Sequence, residues 1–113
     1  MLTDWKQLLQ GAMKAIGDLA RGNPKIMDAA KALEAAGAAH NVLDAKTREL
    51  IALAVAATTR CETCIAVHTK AAVAAGASRE EILDALAVAI NLNAGAAIVY
   101  SAHILEAYDT LSK

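Results

Sequence analysis

The chain has 113 residues, a net charge of -1 and a pI near 6.3, so it carries no basic footprint for nucleic acid or an anionic membrane surface. Hydrophobic residues make up 57%, yet aromatics are only 3% and phenylalanine is absent, so the apolar content is mostly alanine with Leu, Ile and Val. Alanine is the strongest helix former and small side chains let helices approach closely, which excludes a β architecture and predicts one all-α domain over residues 1–113. Such a composition gives a thin core and more apolar surface than a small monomer buries, so an obligate homo-oligomer is expected.

About six helices can be placed. The first runs from Asp4 to Arg21, with Leu8, Leu9, Met13, Ile16 and Leu19 at helical spacing and Asp4 or Thr3 as its cap. Gly22-Asn23-Pro24 ends it, and Pro24 suits the first position of a second helix that runs from about Lys25 to Ala36. Trp5 reads as a packing anchor or an oligomer contact. A short connection with His40 leads to Asp44, a good N-cap for a third helix. That helix is apolar almost all round after Glu49, which predicts a central, buried position.

Thr58-Thr59-Arg60 are weaker helix formers and mark a turn into a fourth helix, which ends at Gly76. Ser78-Arg79-Glu80-Glu81 has the form of a capping box and opens a fifth helix. The uncharged run Ala85 to Ala102 approaches the length of a membrane span. Asn91, Asn93 and Gly95 interrupt it, which predicts a break and a last helix from about Ala96 to Leu111. The first six residues, Met1 to Lys6, show no secretory signal pattern, so a cytoplasmic setting is expected.

The two cysteines stand together as Cys61-Glu62-Thr63-Cys64, with His68 four residues beyond the second. In a reducing compartment a lone C-x-x-C is more often catalytic or metal-binding than structural. At about 100° per residue Cys61, Cys64 and His68 fall within about 60° of one another on one helix face. Two thiols so placed can close into a disulfide and reopen, carrying two electrons, and an imidazole one turn away can move the accompanying proton. A helix starting near Cys61 would also favour a thiolate through its unpaired N–H groups. Glu49 lies twelve residues before Cys61, about 18 Å along a continuous helix. A turn at Thr58 to Arg60 would fold the third and fourth helices back and bring Glu49 to His68; otherwise Glu49 is a solvated first-turn residue. Haem attachment fails because Ile65, not histidine, follows Cys64. Structural zinc lacks an evident fourth ligand, and no cofactor or metal is expected. His103 reads as a core or interface histidine.

Glu49 followed by Cys61-x-x-Cys64-x-x-x-His68 in an all-helical chain resembles the alkylhydroperoxidase D-like branch of the carboxymuconolactone decarboxylase family. The likeness covers Asp44 to Tyr108 and includes K-T-R-E-L-I-A-L-A, C-x-x-C-I-A-x-H-T-K-A-A and A-G-A-S-R-E-E-I. It implies a six-helix fold assembled as a homotrimer or homohexamer. It also implies Cys64 as the peroxidatic cysteine, Cys61 as the resolving one, and His68 with Glu49 as the proton relay. The chain departs from the well-studied members at Thr63, where they carry a histidine. That substitution points to weaker peroxidase turnover or to a disulfide substrate. The expected activity is a thiol-dependent peroxidase or disulfide reductase, re-reduced by a thiol donor, with no nucleic-acid or membrane partner. The alternatives are a decarboxylase-type lyase, against which the two cysteines argue, and a non-enzymatic metal-binding or oligomeric module.

Overall fold

A computed structural model describes residues 2–113 as five helices in the order α1 (Trp5–Gly22), α2 (Pro24–Ala38), α3 (Ala45–Thr59), α4 (Glu62–Ala74) and α5 (Arg79–Leu111). The boundaries follow local chemistry. Asp4 accepts the Gln7 N–H, Asp44 accepts the Thr47 N–H at 2.7 Å, and Pro24 opens α2 where its missing N–H costs nothing. Ser78 and Glu81 form the expected capping box, at 3.0 Å in both directions.

Gly76 closes α4 with φ +86, and the Ala77 and Gly76 N–H groups reach back to the carbonyls of Ala72 and Val73. That pairing satisfies two otherwise orphaned acceptors.

The expected break at Asn91 to Gly95 does not occur: α5 runs unbroken through 33 residues, so the helices number five among the described residues. Asn93 explains how. Its side-chain amide donates to the Ala89 carbonyl at 2.7 Å, following the helix instead of competing with it. Gly95 keeps negative φ, and a single glycine costs a helix only about 1 kcal/mol, which its alanine-rich neighbours offset.

Packing proceeds as a chain of pairs: α2 lies on α1, α1 on α4, α4 on α3, and α3 on α5. The buried residues are Leu53, Ala56, Ala66, Ala72 and Ala89, four of them alanine, so α3 meets α4 and α5 through small side chains at close range. The central placement of α3 agrees with its apolar sequence, although Ile51 and Val55 remain about half exposed at 49% and 54%.

Beyond this small core the chain is open. Its radius of gyration is 18.5 Å, against about 13 Å for a compact domain of this length. Its accessible surface is 8909 Å², against about 5,900 Å² for a folded monomer of this mass.

Candidate active site

The site is assembled at the junction of α3 and α4. Helix α3 ends at Thr59, where Thr58 and Thr59 turn their hydroxyls onto the Val55 carbonyl at 2.8 and 3.1 Å. Arg60 then takes a left-handed conformation (φ 55, ψ 44), and the Cys61 N–H bonds back to the Ala56 carbonyl at 3.2 Å. The left-handed residue reverses the chain, so α4 runs back along α3. A branched or long side chain in this region costs about 1–2 kcal/mol over glycine, so the reversal is held by the packing of the two helices.

Cys61 is the N-cap of α4. Its Sγ accepts the Cys64 N–H at 3.2 Å, and its carbonyl accepts the Ile65 N–H at 2.9 Å. Cys64 sits in the first turn, and the two sulfurs are joined as a disulfide with the Cα atoms 5.2 Å apart. Both residues are half-buried. On reduction, a Cys61 thiolate would keep the capping position, where the first-turn N–H groups and the helix dipole favour negative charge.

One turn further along, His68 Nδ1 lies 2.7 Å from Glu49 Oε2 on α3. The side chains are 38% and 23% exposed, so the pair is partly withdrawn from water yet reachable. Glu49 is therefore not a solvated first-turn residue, and the fold-back at Arg60 brings it to His68 as the conditional reading required. With Nδ1 committed to Glu49, Nε2 is the imidazole nitrogen left to exchange protons, on the helix face that carries Cys64.

Two residues outside the expected set hold this arrangement. Lys46 Nζ pairs with Glu81 Oε2 at 2.8 Å, tying the start of α3 to the start of α5. Arg48 Nη2 donates to the Gly37 carbonyl at 2.7 Å, tying α3 to the end of α2. Together with Glu49, the K-T-R-E stretch sends one side chain each to α5, α2 and α4. The signal in the sequence is their position: charged residues in the opening turn of a helix that is otherwise apolar.

The remaining histidines stand apart. His40 lies in the bend after α2, exposed. His103 is 65% exposed on α5, edge-on to Tyr100 with ring centroids 4.8 Å apart, so within one chain it is not a core residue. Among the described residues, no three His, Cys, Asp or Glu side chains gather as a metal ion would require.

Comparison with known proteins supplies the relatives of this arrangement. The sequence model described as "Carboxymuconolactone decarboxylase family" matches residues 24–107. An uncharacterised protein of Haemophilus influenzae is 59% identical over 108 residues, 96% of each chain. A Paracoccus denitrificans protein, "uncharacterized protein 4 in cox locus", is 39% identical over 100 residues, covering 88% of this chain and 90% of its own. Among solved structures, an apo carboxymuconolactone decarboxylase family protein from Legionella pneumophila superposes with a TM-score of 0.73 at 31% identity, covering 96% of this chain and 97% of its own.

Proposed function

The chain belongs to the carboxymuconolactone decarboxylase family, and from that premise we propose that it is a thiol-dependent peroxidase or disulfide reductase of the alkylhydroperoxidase D-like branch. The observation that carries the reading is the 2.7 Å pairing of His68 with Glu49, on the helix that also carries the Cys61–Cys64 disulfide. A carboxylate fixing one imidazole nitrogen leaves the other to serve a thiol, the arrangement that activates sulfur nucleophiles.

In the peroxidase cycle His68 takes the Cys64 proton, and the thiolate attacks the terminal oxygen of a hydroperoxide. The O–O bond breaks, the alkoxide leaves as an alcohol with the proton held by His68, and Cys64 becomes a sulfenic acid. The Cys61 thiol attacks that sulfur, the S–O bond breaks, and the departing hydroxide carries off the Cys61 proton as water. The disulfide that remains protects Cys64 from further oxidation. An external thiol donor returns two electrons to restore the dithiol. A substrate disulfide would enter the same cycle in place of peroxide, taking the two electrons of the Cys61–Cys64 dithiol and leaving as two thiols. Thr63, where the well-studied members of this branch carry a histidine, favours slow peroxide turnover.

We read the protein as a cytoplasmic homo-oligomer, a trimer or hexamer. The excess of accessible surface over that of a compact monomer supports assembly.

The decisive experiment counts free thiols on reduced protein before and after one equivalent of an organic hydroperoxide. Fast loss of two thiols per chain, slowed about 100-fold by Glu49→Gln or His68→Gln, is the expected result. Thiols that persist at the rate of free cysteine against both hydroperoxides and disulfides would overturn the reading and turn attention to a lyase that needs neither cysteine.

A further inference from the structure

A groove of about 1100 Å³ lies between α1 and α4 and reaches the start of α5. It is slightly larger than the usual small-molecule site of about 300–1,000 Å³, so it has room for a long ligand. Apart from Trp5 its apolar wall is aliphatic, with Leu9, Ile65, Val73 and Leu86. Among the described residues that line it, Thr69 carries the only uncharged polar side chain. Cys61, Cys64 and His68 are not among them, so the groove is separate from the thiol chemistry proposed above.

The charged residues of the groove are Lys6, Lys70 and Arg79, all basic on a chain whose net charge is -1. Among the described residues, none of these three lies within ion-pair distance of a carboxylate. Two of them also stand against local electrostatics. Lys6 sits in the opening turn of α1 and Arg79 opens α5, so each adds positive charge at the positive end of a helix dipole, where a carboxylate would be stabilising. Acidic neighbours in sequence do not compensate them: Asp4 accepts the Gln7 N–H, Glu81 pairs with Lys46, and Glu80 does not line the groove. An aliphatic wall is thus joined to a rim of uncompensated positive charge.

We propose that this groove binds a single-chain fatty-acid anion, with the aliphatic tail along Trp5, Ile65 and Val73 and the carboxylate among Lys6, Lys70 and Arg79. The carboxylate supplies the counter-charge that the chain itself does not, through charge-assisted hydrogen bonds. The tail removes the aliphatic wall from water, a gain that needs no directional contact. The same wall disfavours a sugar or a nucleobase, which is held by several placed donors and acceptors where this groove offers the Thr69 hydroxyl.

A second copy of the chain seated in the groove is the rival occupant. The native assembly separates the two, since a fatty acid binds it only where assembly leaves the groove open.

The test titrates dodecanoate, kept below its micellar concentration, into the full wild-type chain in its native assembly. Emission from Trp5, the sole tryptophan, reports from inside the groove. Saturable binding of one dodecanoate per chain, with a blue shift of Trp5 emission, is the expected result. Dodecanol, which has the tail without the charge, should bind about 10-fold more weakly. Lys6→Glu/Lys70→Glu should weaken dodecanoate about 10-fold and leave dodecanol unchanged, while far-ultraviolet circular dichroism keeps its helical form. Val73→Asp should weaken both ligands, and Lys25→Glu/Lys31→Glu, on α2 outside the groove, should change neither. Absence of saturable binding to the wild-type chain would overturn the proposal. So would equal affinities for dodecanoate and dodecanol, or a loss as large in Lys25→Glu/Lys31→Glu as in the groove variant, since either marks an unspecific surface. No binding by wild type, together with a Val73→Asp chain that sediments as smaller species, would give the groove to a second copy instead.

Discussion

The inner part of the molecule, α3, α4 and the first half of α5, and the outer part, α1, α2 and the distal half of α5, are both alanine-rich and apolar, yet they behave differently. The buried residues Leu53, Ala56, Ala66, Ala72 and Ala89 all belong to the inner part, whereas Leu33, Ile98, Tyr108 and Leu111 of the outer part are exposed at 70% or more. Their charges divide in the same way. Inner pairs reach across helices: Lys46 to Glu81 and Glu49 to His68. Outer pairs stay within three or four residues on one helix: Lys14 to Asp18, Asp18 to Arg21, and His103 to Glu106. Apolar periodicity reports that a face is to be buried without saying by what. The reach of the charged side chains separates surfaces the chain closes on itself from surfaces left for another molecule, and the Cys61–Cys64 disulfide and the Glu49–His68 pair lie wholly in the part that closes on itself.

The sharpest way to break this comparison is at the sulfurs. Cys64→Ser should abolish formation of a sulfenic acid on exposure to one equivalent of hydroperoxide, a loss of at least about 100-fold in rate. Cys61→Ser should still form it and then fail to close the disulfide. Trapping with a dimedone probe and intact-mass analysis separates the two. A sulfenic acid that forms in Cys64→Ser and not in Cys61→Ser would assign first attack to the helix-capping cysteine.

A second test sets the inner core against a generic apolar surface. Ala72 is fully buried where α4 completes its last turns. Ala72→Leu adds three carbons where there is no room and should cost about 1–3 kcal/mol of stability, read from urea denaturation. A near-zero cost would mean that the inner part is as loosely packed as the outer.

These differences bear on what was legible in the residues themselves. Helix ends were, because caps act over three or four residues: Asp4, Asp44, Gly76 and the Ser78–Glu81 box all stand where their chemistry puts them. The likeness between C-x-x-C-x-x-x-H and its family was legible for a similar reason, being a local pattern on one helix. Glu49 was legible only conditionally, since its approach to His68 depends on the left-handed turn at Arg60, a residue with no special preference for that conformation. The continuity of α5 was missed because Asn91, Asn93 and Gly95 are breakers by propensity. Whether they break a helix depends on whether the side-chain amide bonds along the axis, as Asn93 does. Lys46 and Arg48 were missed because their partners, Glu81 and Gly37, are 35 and 11 residues away.

A third change touches the connection between α4 and α5. Ser78→Ala removes the acceptor for the Glu81 N–H and should cost about 1 kcal/mol. Thermal unfolding of that variant against Ser78→Asp, which restores an acceptor, distinguishes the cap from any loss of packing.

The smallest effect is the one that tests the division of charges most directly. The Lys46 ammonium, and then the Ser78 N–H, hold the Glu81 carboxyl below its ordinary value of 4.5, while the Glu81 carboxylate holds Lys46 above 10.5. A carboxyl lowered by folding adds stability that is full above 4.5 and is lost as pH falls through its folded value. An ammonium raised by folding adds stability that is full below 10.5 and is lost as pH climbs through its folded value. Lys46→Met should therefore lower stability slightly across the middle of the profile and leave the acid and alkaline extremes unchanged, so that both limbs become shallower. The drop is small because a solvent-facing pair is weakly stabilising. Lys14→Met, which breaks an outer pair confined to α1, should leave both limbs as they were. Were the two variants to give the same profile, the cross-helix reach of Lys46 would carry no energetic meaning, and the distinction between inner and outer charges would rest on the Glu49–His68 pair alone.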